Sequence, residues 1–296
     1  MAPARAAPDA FAPVVGQEAA VASLRALLRR TGGEGTTLLW GPEGVGRFLL
    51  AHRAACALLG TDAAAFVKAE RFAHTDLHVV EPGGGIDGVR AAQEALSRRA
   101  AEGPRPVLLL RDADRLSPEA LHALLKTLEE PPSGAAVLLV AEAPEHLPAT
   151  VVSRCARVRA GPLAPDALAS VLRRHGHPPE AGADAEGSPG RALYQLEART
   201  GETAEALLAL LGGAGRDPLG DAERLARPRG GEKPAELRRR LAEALRVAAG
   251  RLRRDLPGSA AAVRAALEAL ASLHANASPG ILVAHLALRA WNRNGN

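Results

Sequence analysis

Lysine is almost absent from this chain. Of 37 basic side chains only three are lysines, Lys68, Lys126 and Lys233, and the other 34 are arginines. A mechanism that needs an ammonium group therefore has three candidates. Aromatic residues make up only 2% of the 296 positions, so the core must be built from Ala, Leu and Val, and stacking platforms for single-stranded nucleic acid are few. Two cysteines, Cys56 and Cys155, exclude a disulfide framework and a four-cysteine zinc site. No run reaches the roughly 18 apolar residues that span a bilayer, and the opening MAPARAAPDAFAP lacks the apolar stretch of a secretory signal, so the expectation is a cytoplasmic protein with no membrane partner. What is present is ordinary for a folded chain: 47% hydrophobic and 24% charged residues, at a length that suits two or three domains. A net charge of +4 over this length does not specify a nucleic-acid partner. Richness in Ala, Arg, Gly and Pro also matches a GC-biased genome, so arginine alone is no signal.

Periodicity predicts alternating helices and strands in the first half. Residues 17–30 carry Val21, Leu24, Leu27 and Leu28 at helical spacing, and 36–40 read as a short buried strand. A helix from Arg47 to Leu59, a strand over 77–80, a helix over 88–101 and a strand over 107–110 follow. The helix over 117–130 has Ser117 as its cap, Pro118 at its first position and Pro131-Pro132 as its stop, and 136–140 is a further strand. This alternation predicts an α/β fold with a mostly parallel sheet. Beyond Gly161-Pro162 the strand signal ends. Helical runs are expected over 165–177 and 189–200, an irregular connection over 211–234, and a helical bundle carrying Leu237, Leu241, Leu245, Val263, Leu267 and Leu270, closed by a helix over 279–292. The chain thus reads as three parts: 1–160, 161–205 and 206–296. The arginines Arg238, Arg239 and Arg240 read as the solvated face of a bundle helix rather than a DNA tract.

Between the first strand and its helix stands Gly41-Pro42-Glu43-Gly44-Val45-Gly46-Arg47-Phe48. A phosphate loop has the pattern G-x-x-x-x-G-K-[ST], in which backbone N–H groups cradle phosphates, the Lys reaches the β/γ-phosphates and the hydroxyl holds magnesium. Gly41, Gly44 and Gly46 supply the frame, but Arg47 replaces the Lys and Phe48 the hydroxyl. A phenyl ring cannot ligate magnesium. After the strand 107–110, where such ATPases place a magnesium-holding Asp, the chain has Arg111, followed by Asp112 in the place of a catalytic acid. Three departures therefore point to a nucleotide fold without hydrolysis, with the loop empty of ATP and no cofactor or metal.

These residues resemble the clamp-loader branch of the AAA+ ATPases that serves bacterial DNA polymerase III. The resemblance is carried by Val15-Gly16-Gln17, by His74-Thr75-Asp76-Leu77-His78, and by Leu124-Leu125-Lys126-Thr127-Leu128-Glu129-Glu130-Pro131-Pro132. It is carried also by Leu147-Pro148 with Ser153-Arg154-Cys155, by Gly187-Ser188-Pro189-Gly190-Arg191-Ala192-Leu193, and by the stretch 273–288. It implies an AAA+ P-loop-like core over 1–160, a small helical lid over 161–205 and an all-α oligomerisation collar over 206–296.

The resemblance further implies a non-catalytic subunit of a hetero-pentamer, beside motor ATPase subunits and a clamp-opening delta subunit, that helps place a sliding clamp on primed DNA. Arg154, flanked by Ser153 and Cys155, would reach into a neighbour's ATP site as an arginine finger. Two alternatives stay open: a regulator that binds nucleotide without hydrolysis, for which Arg47 leaves room, and an active motor, which needs the missing Lys, hydroxyl and Asp. Where many relatives carry a zinc module, residues 60–71 hold no cysteine, so no zinc is expected, and Cys56 reads as a buried small hydrophobe. The pairs His74/His78 and His175/His177 lack further ligands. The nucleotide-sensing threonine of the family corresponds to Ala141, and Arg191 lies one place from the expected lid arginine.

Overall fold

The computed structural model describes residues 6–213, 217–255 and 259–293. Five strands, β1 (Gly35–Trp40), β2 (Leu77–Val80), β3 (Val107–Leu110), β4 (Ala136–Ala141) and β5 (Ala156–Arg159), form one sheet in the order β2-β3-β4-β1-β5. Every pairing is parallel. Parallel strands are covered on both faces, and successive side chains leave opposite faces. Leu39, Leu109, Leu138 and Val140 accordingly pack with Leu24, Leu50, Leu59 and Phe66 of α1 (Glu18–Arg30), α2 (Arg47–Leu59) and α3 (Ala63–Glu70). Their neighbours Leu38, Leu108, Leu110, Val137 and Leu139 pack with Val89, Leu96, Leu121 and Leu124 of α4 (Gly85–Leu96) and α5 (Pro118–Glu129). Each such burial stabilises by about 1.5–3 kcal/mol. The short α6 (Ala149–Val152) leads into β5, and α7 (Pro165–Arg174) follows it.

The expected α/β fold is present, with three local differences. β5 was not foreseen, because ARVR offers a single buried residue, Val158, and exposes Arg157 and Arg159 at the sheet's edge. Charge on an edge strand discourages pairing with another chain. α3 occupies part of the stretch 60–71, for which no element was expected; Asp62 starts it by accepting the N–H groups of Ala64 and Ala65 at 2.9 Å each. α4 begins and ends earlier than 88–101, because the chain beyond Leu96 turns to wrap Asp76. That carboxylate accepts the N–H groups of Ala101, Glu102 and Gly103 at 2.6, 3.0 and 2.6 Å.

The chain forms two compact units, Met1–Arg174 with Gly187–Gly190, and His175–Glu186 with Arg191–Asn296. The second is helical. Its elements are drawn from α8 (Pro189–Glu197), α9 (Thr200–Leu211), α10 (Pro218–Ala226), α11 (Pro234–Asp255), α12 (Ala260–His274) and α13 (Pro279–Arg293). α10 lies inside the stretch expected to be irregular; Asp217 caps it through the Gly220 N–H at 2.9 Å, with Pro218 at the first position. Leu207, Leu211, Leu241, Leu245, Leu252, Val283 and Leu286 form its core, with Ala266 and Ala269 between them. No helix among the described residues is long and apolar enough to cross a membrane.

Candidate functional site

The glycine loop leaves the C-terminal end of β1, between β4 and β5, where ligands of open α/β sheets bind. Its glycines are required by geometry. A Cβ on Gly41, at φ +153°, would stand 1.9 Å from the Ala160 carbonyl oxygen, and Gly46 caps α2 in the left-handed region at φ +101°. The loop is tied from both sides. Gln17 Nε2 donates to Val45 O at 3.0 Å and to Gly161 O at 2.7 Å, so the box over 15–17 fastens the loop to the turn after β5. Ser188 Oγ donates to Glu43 O at 2.8 Å, and the Gly190 N–H donates to Gly44 O at 2.9 Å. Gly190 sits so close that a Cβ would come within 2.8 Å of Gly44 Cα. Gln17, Ser188 and Gly190 thus belong to the loop's surroundings, although no spacing rule links residues so far apart in sequence.

Arg47 does not reach outward. Its buried guanidinium donates from Nη1 to Gly41 O at 2.6 Å and pairs through Nη2 with Asp112 at 3.6 Å. A cation in the first turn of α2 opposes the helix dipole, and the Asp112 carboxylate offsets that. Next to it the Phe48 ring stacks on Phe72, with centroids 6.0 Å apart, and Phe72 stacks on His52 at 4.0 Å. The Arg111 guanidinium lies 4.8 Å over the Phe48 ring and also pairs with Glu81 at 3.6 Å. The two departures read in the sequence as separate, Phe48 and Arg111, are therefore one contact. Where the fold family holds magnesium, this chain places an aromatic face and a positive charge, and these do not fit a divalent cation. Phe72 holds φ +56°, a strained value for a bulky residue. Burial keeps the His52 imidazole below its ordinary pKa, and its Nε2 is 3.0 Å from Ala69 O. Ala141 ends β4 buried, with a methyl group that makes no hydrogen bond.

Ser153, Arg154 and Cys155 lie between α6 and β5, at the N-terminal end of the sheet. Thr37 pairs with Ala156, and the loop begins only after Trp40 pairs with Arg159. Four paired residues of about 3.3 Å each, roughly 13 Å, separate the two ends. The loop glycines and Arg47 are brought together; Arg154 is held apart from them. Arg154 Nη2 meets Glu129 Oε1 at 2.5 Å, and Nη1 donates to Thr150 O at 2.7 Å and Ser153 Oγ at 3.4 Å. Ser153 Oγ itself donates to Thr150 O at 3.2 Å. Cys155 donates its thiol to Val151 O, and burial pushes its pKa up to about 11, away from the thiolate form. Cys56 is fully buried and is likewise raised to about 11 by burial.

Other arginines have partners within the helical unit. Arg191 is bound to Glu186 at 2.7 Å and to the buried Glu243 at 2.9 Å. The run 238–240 is not one solvated face. Arg240 is only 3% exposed and grips Glu232 at 2.8 and 3.0 Å, Arg239 covers the Tyr194 ring at 4.1 Å, and Arg238 bonds Asn276. His74 is buried beside Asp76 and Glu102. Among the described residues one trio, Asp114, Glu142 and His146, brings metal-type ligands together, but the Asp114 carboxylate already accepts the Glu142 N–H at 2.8 Å.

A family model described as DNA polymerase III, delta subunit, matches residues 16–164. The delta' subunit of DNA polymerase III from Pseudomonas aeruginosa is 38% identical over 148 residues, 45% of this chain and 44% of that one. Its counterpart from Bacillus subtilis is 34% identical over 102 residues, 33% and 31% of the two chains, and that from Escherichia coli 45% over 71 residues, 24% and 21%. Each match thus spans less than half of the relative. A solved DNA polymerase III gamma subunit-related protein from Thermotoga maritima shares the fold, with a TM-score of 0.50 at 17% identity over 92% of this chain and 99% of that one. With half of its length inside the family model, the chain belongs to the DNA polymerase III delta subunit family, and it is similar to curated relatives named delta'.

Proposed function

We propose that this chain is a non-catalytic subunit of the clamp loader, taking no cofactor of its own and serving the ATP site of a neighbouring motor subunit. The observation that carries this reading is the Phe48–Arg111 contact, 4.8 Å across, at the place where a phosphate-loop ATPase must hold magnesium. The retracted Arg47 and the Ser188 and Gly190 bonds onto the loop carbonyls support it. They favour a loop that takes no nucleotide over one that binds without hydrolysis.

The position of Arg154 supports action in trans. It stands at the opposite end of the sheet from its own loop, so a phosphate it touches belongs to another chain. A transition state that spreads negative charge over phosphoryl oxygens gains roughly 10³–10⁵ in rate from such an arginine. On this reading the partners are motor ATPase subunits and the clamp-opening delta subunit in a pentamer, joined through the collar over 206–296, with the lid over 161–205. The sliding clamp and primed DNA are met through the assembly, in the cytoplasm.

The test has two arms. The isolated chain is incubated with labelled ATP and magnesium; neither binding nor turnover is expected, turnover would overturn the reading, and tight binding without turnover would favour a regulator. The assembled loader carrying Arg154→Ala is expected to lose ATPase rate, and an unchanged rate would overturn the finger assignment.

A further inference from the structure

Arg154 is already held before any neighbour arrives, and what holds it is a residue of this same chain. Glu129 is the last residue of α5, and a carboxylate there meets the negative end of the helix dipole, an unfavourable place for it. Its partner is the Arg154 guanidinium, 2.5 Å away. The opposite side of that guanidinium is fixed by Thr150 O at 2.7 Å and Ser153 Oγ at 3.4 Å. Both Nη1 hydrogens and one Nη2 hydrogen are thereby committed. The second Nη2 hydrogen and the Nε–H are left for an incoming acceptor. The Arg154 side chain is 32% exposed and that of Glu129 49% exposed, so the cradle opens to the surface.

We infer that Glu129 is a positioning residue for Arg154, a proposal that rests on the finger reading above. Arginine carries several rotatable bonds, and freezing them when the phosphate arrives costs free energy in the transition state. Glu129 and the Thr150 carbonyl fix the side chain beforehand. An exposed ion pair contributes little to stability, so the role of Glu129 lies in the geometry of Arg154 rather than in holding the fold. The phosphoryl oxygens of the neighbour are the acceptor class that this cradle presents to, because they match the planar fork of a guanidinium.

The experiment measures steady-state ATPase kinetics of the full loader assembled with this chain as wild type, Glu129→Ala, Glu129→Gln, Arg154→Ala and the double variant Glu129→Ala/Arg154→Ala. Glu129→Ala is expected to remove about half or more of the Arg154-dependent kcat with KM for ATP little changed, because the interaction is made in the transition state. Glu129→Gln, whose amide oxygen still accepts the bond, is expected to recover most of the rate. In the Arg154→Ala background, Glu129→Ala is expected to add nothing. If Glu129→Ala matches wild type while Arg154→Ala is slow, the positioning role is wrong and the finger stands. If Glu129→Ala lowers the rate equally without Arg154, Glu129 acts by another route and the proposal fails. If Arg154→Ala is as fast as wild type, the finger reading falls and the positioning role with it. Matching thermal melting of the variants separates these outcomes from loss of folding.

Discussion

Phe48 and Arg111 show how two side chains that look like independent losses become a single local structure. A phenyl face attracts a cation, and at a half-exposed site that attraction amounts to about 0.5–1 kcal/mol. A double-mutant cycle with Phe48→Leu and Arg111→Ala, followed by urea unfolding, is expected to return a coupling of that size; additive effects would separate the two residues again. On the proposed reading, installing Arg47→Lys, Phe48→Thr and Arg111→Asp together is expected to produce magnesium-dependent nucleotide binding that the parent does not show, as measured by calorimetric titration of both. Both cysteines give a further check at this scale. Burial raises the thiols to about 11, so their contribution to stability is complete below the unfolded value and is lost as pH rises from there through the folded one. At pH 8 alkylation of the native chain is expected to run on the order of two hundred-fold slower than in denaturant, because the thiolate fraction falls by that factor.

At the level of elements, sequence alone located four of the five strands: VLLL and AVLLVA are buried throughout, and even the edge strand β2 was legible in its apolar LHVV. β5 escaped because an edge strand needs apolar residues on one side only, and it has just Val158. The glycine frame of the loop was legible through its spacing, while its ties were not. Gln17 meets Val45 and Gly161 only because α1, β1 and β5 bring them together, and Ser188 reaches Glu43 from 145 positions away. Gln17→Ala leaves buried carbonyls without their donor and is expected to cost about 1–3 kcal/mol in chemical denaturation. Asp76 organises the turn after α4. Burial raises its carboxyl pKa, but the N–H groups of Ala101, Glu102 and Gly103 outweigh that and hold it below the usual carboxylate range. Its contribution is therefore present above the unfolded value of about 3.9 and is lost as pH falls through the lower folded value. The destabilisation by Asp76→Asn should accordingly be seen near neutrality and shrink in acid, as followed by urea midpoints across that range.

Over the whole molecule, arginine supplies the cation of most ion pairs among the described residues, where lysine appears only in the Lys68–Glu102 pair. The sequence singled out Arg154 through its Ser153 and Cys155 neighbours, but no pattern in it signalled that Arg191 would pair with the buried Glu243 or that Arg240 would be buried against Glu232. The helical unit has its own core, in which Leu245 is buried beside Leu241 and Val283. Leu245→Ala is expected to destabilise that unit by about 2–5 kcal/mol, read as a lowered helical melting transition. The placement of the glycine loop and Arg154 at opposite ends of one parallel sheet has a consequence for assembly. A head-to-tail row of such subunits has polarity, each member giving to one side and receiving from the other. On the proposed reading this chain gives and does not receive, so it can only stand at the terminus of the working series, and the junction on its loop side is a silent seam where a ring can part without interrupting any hydrolysis.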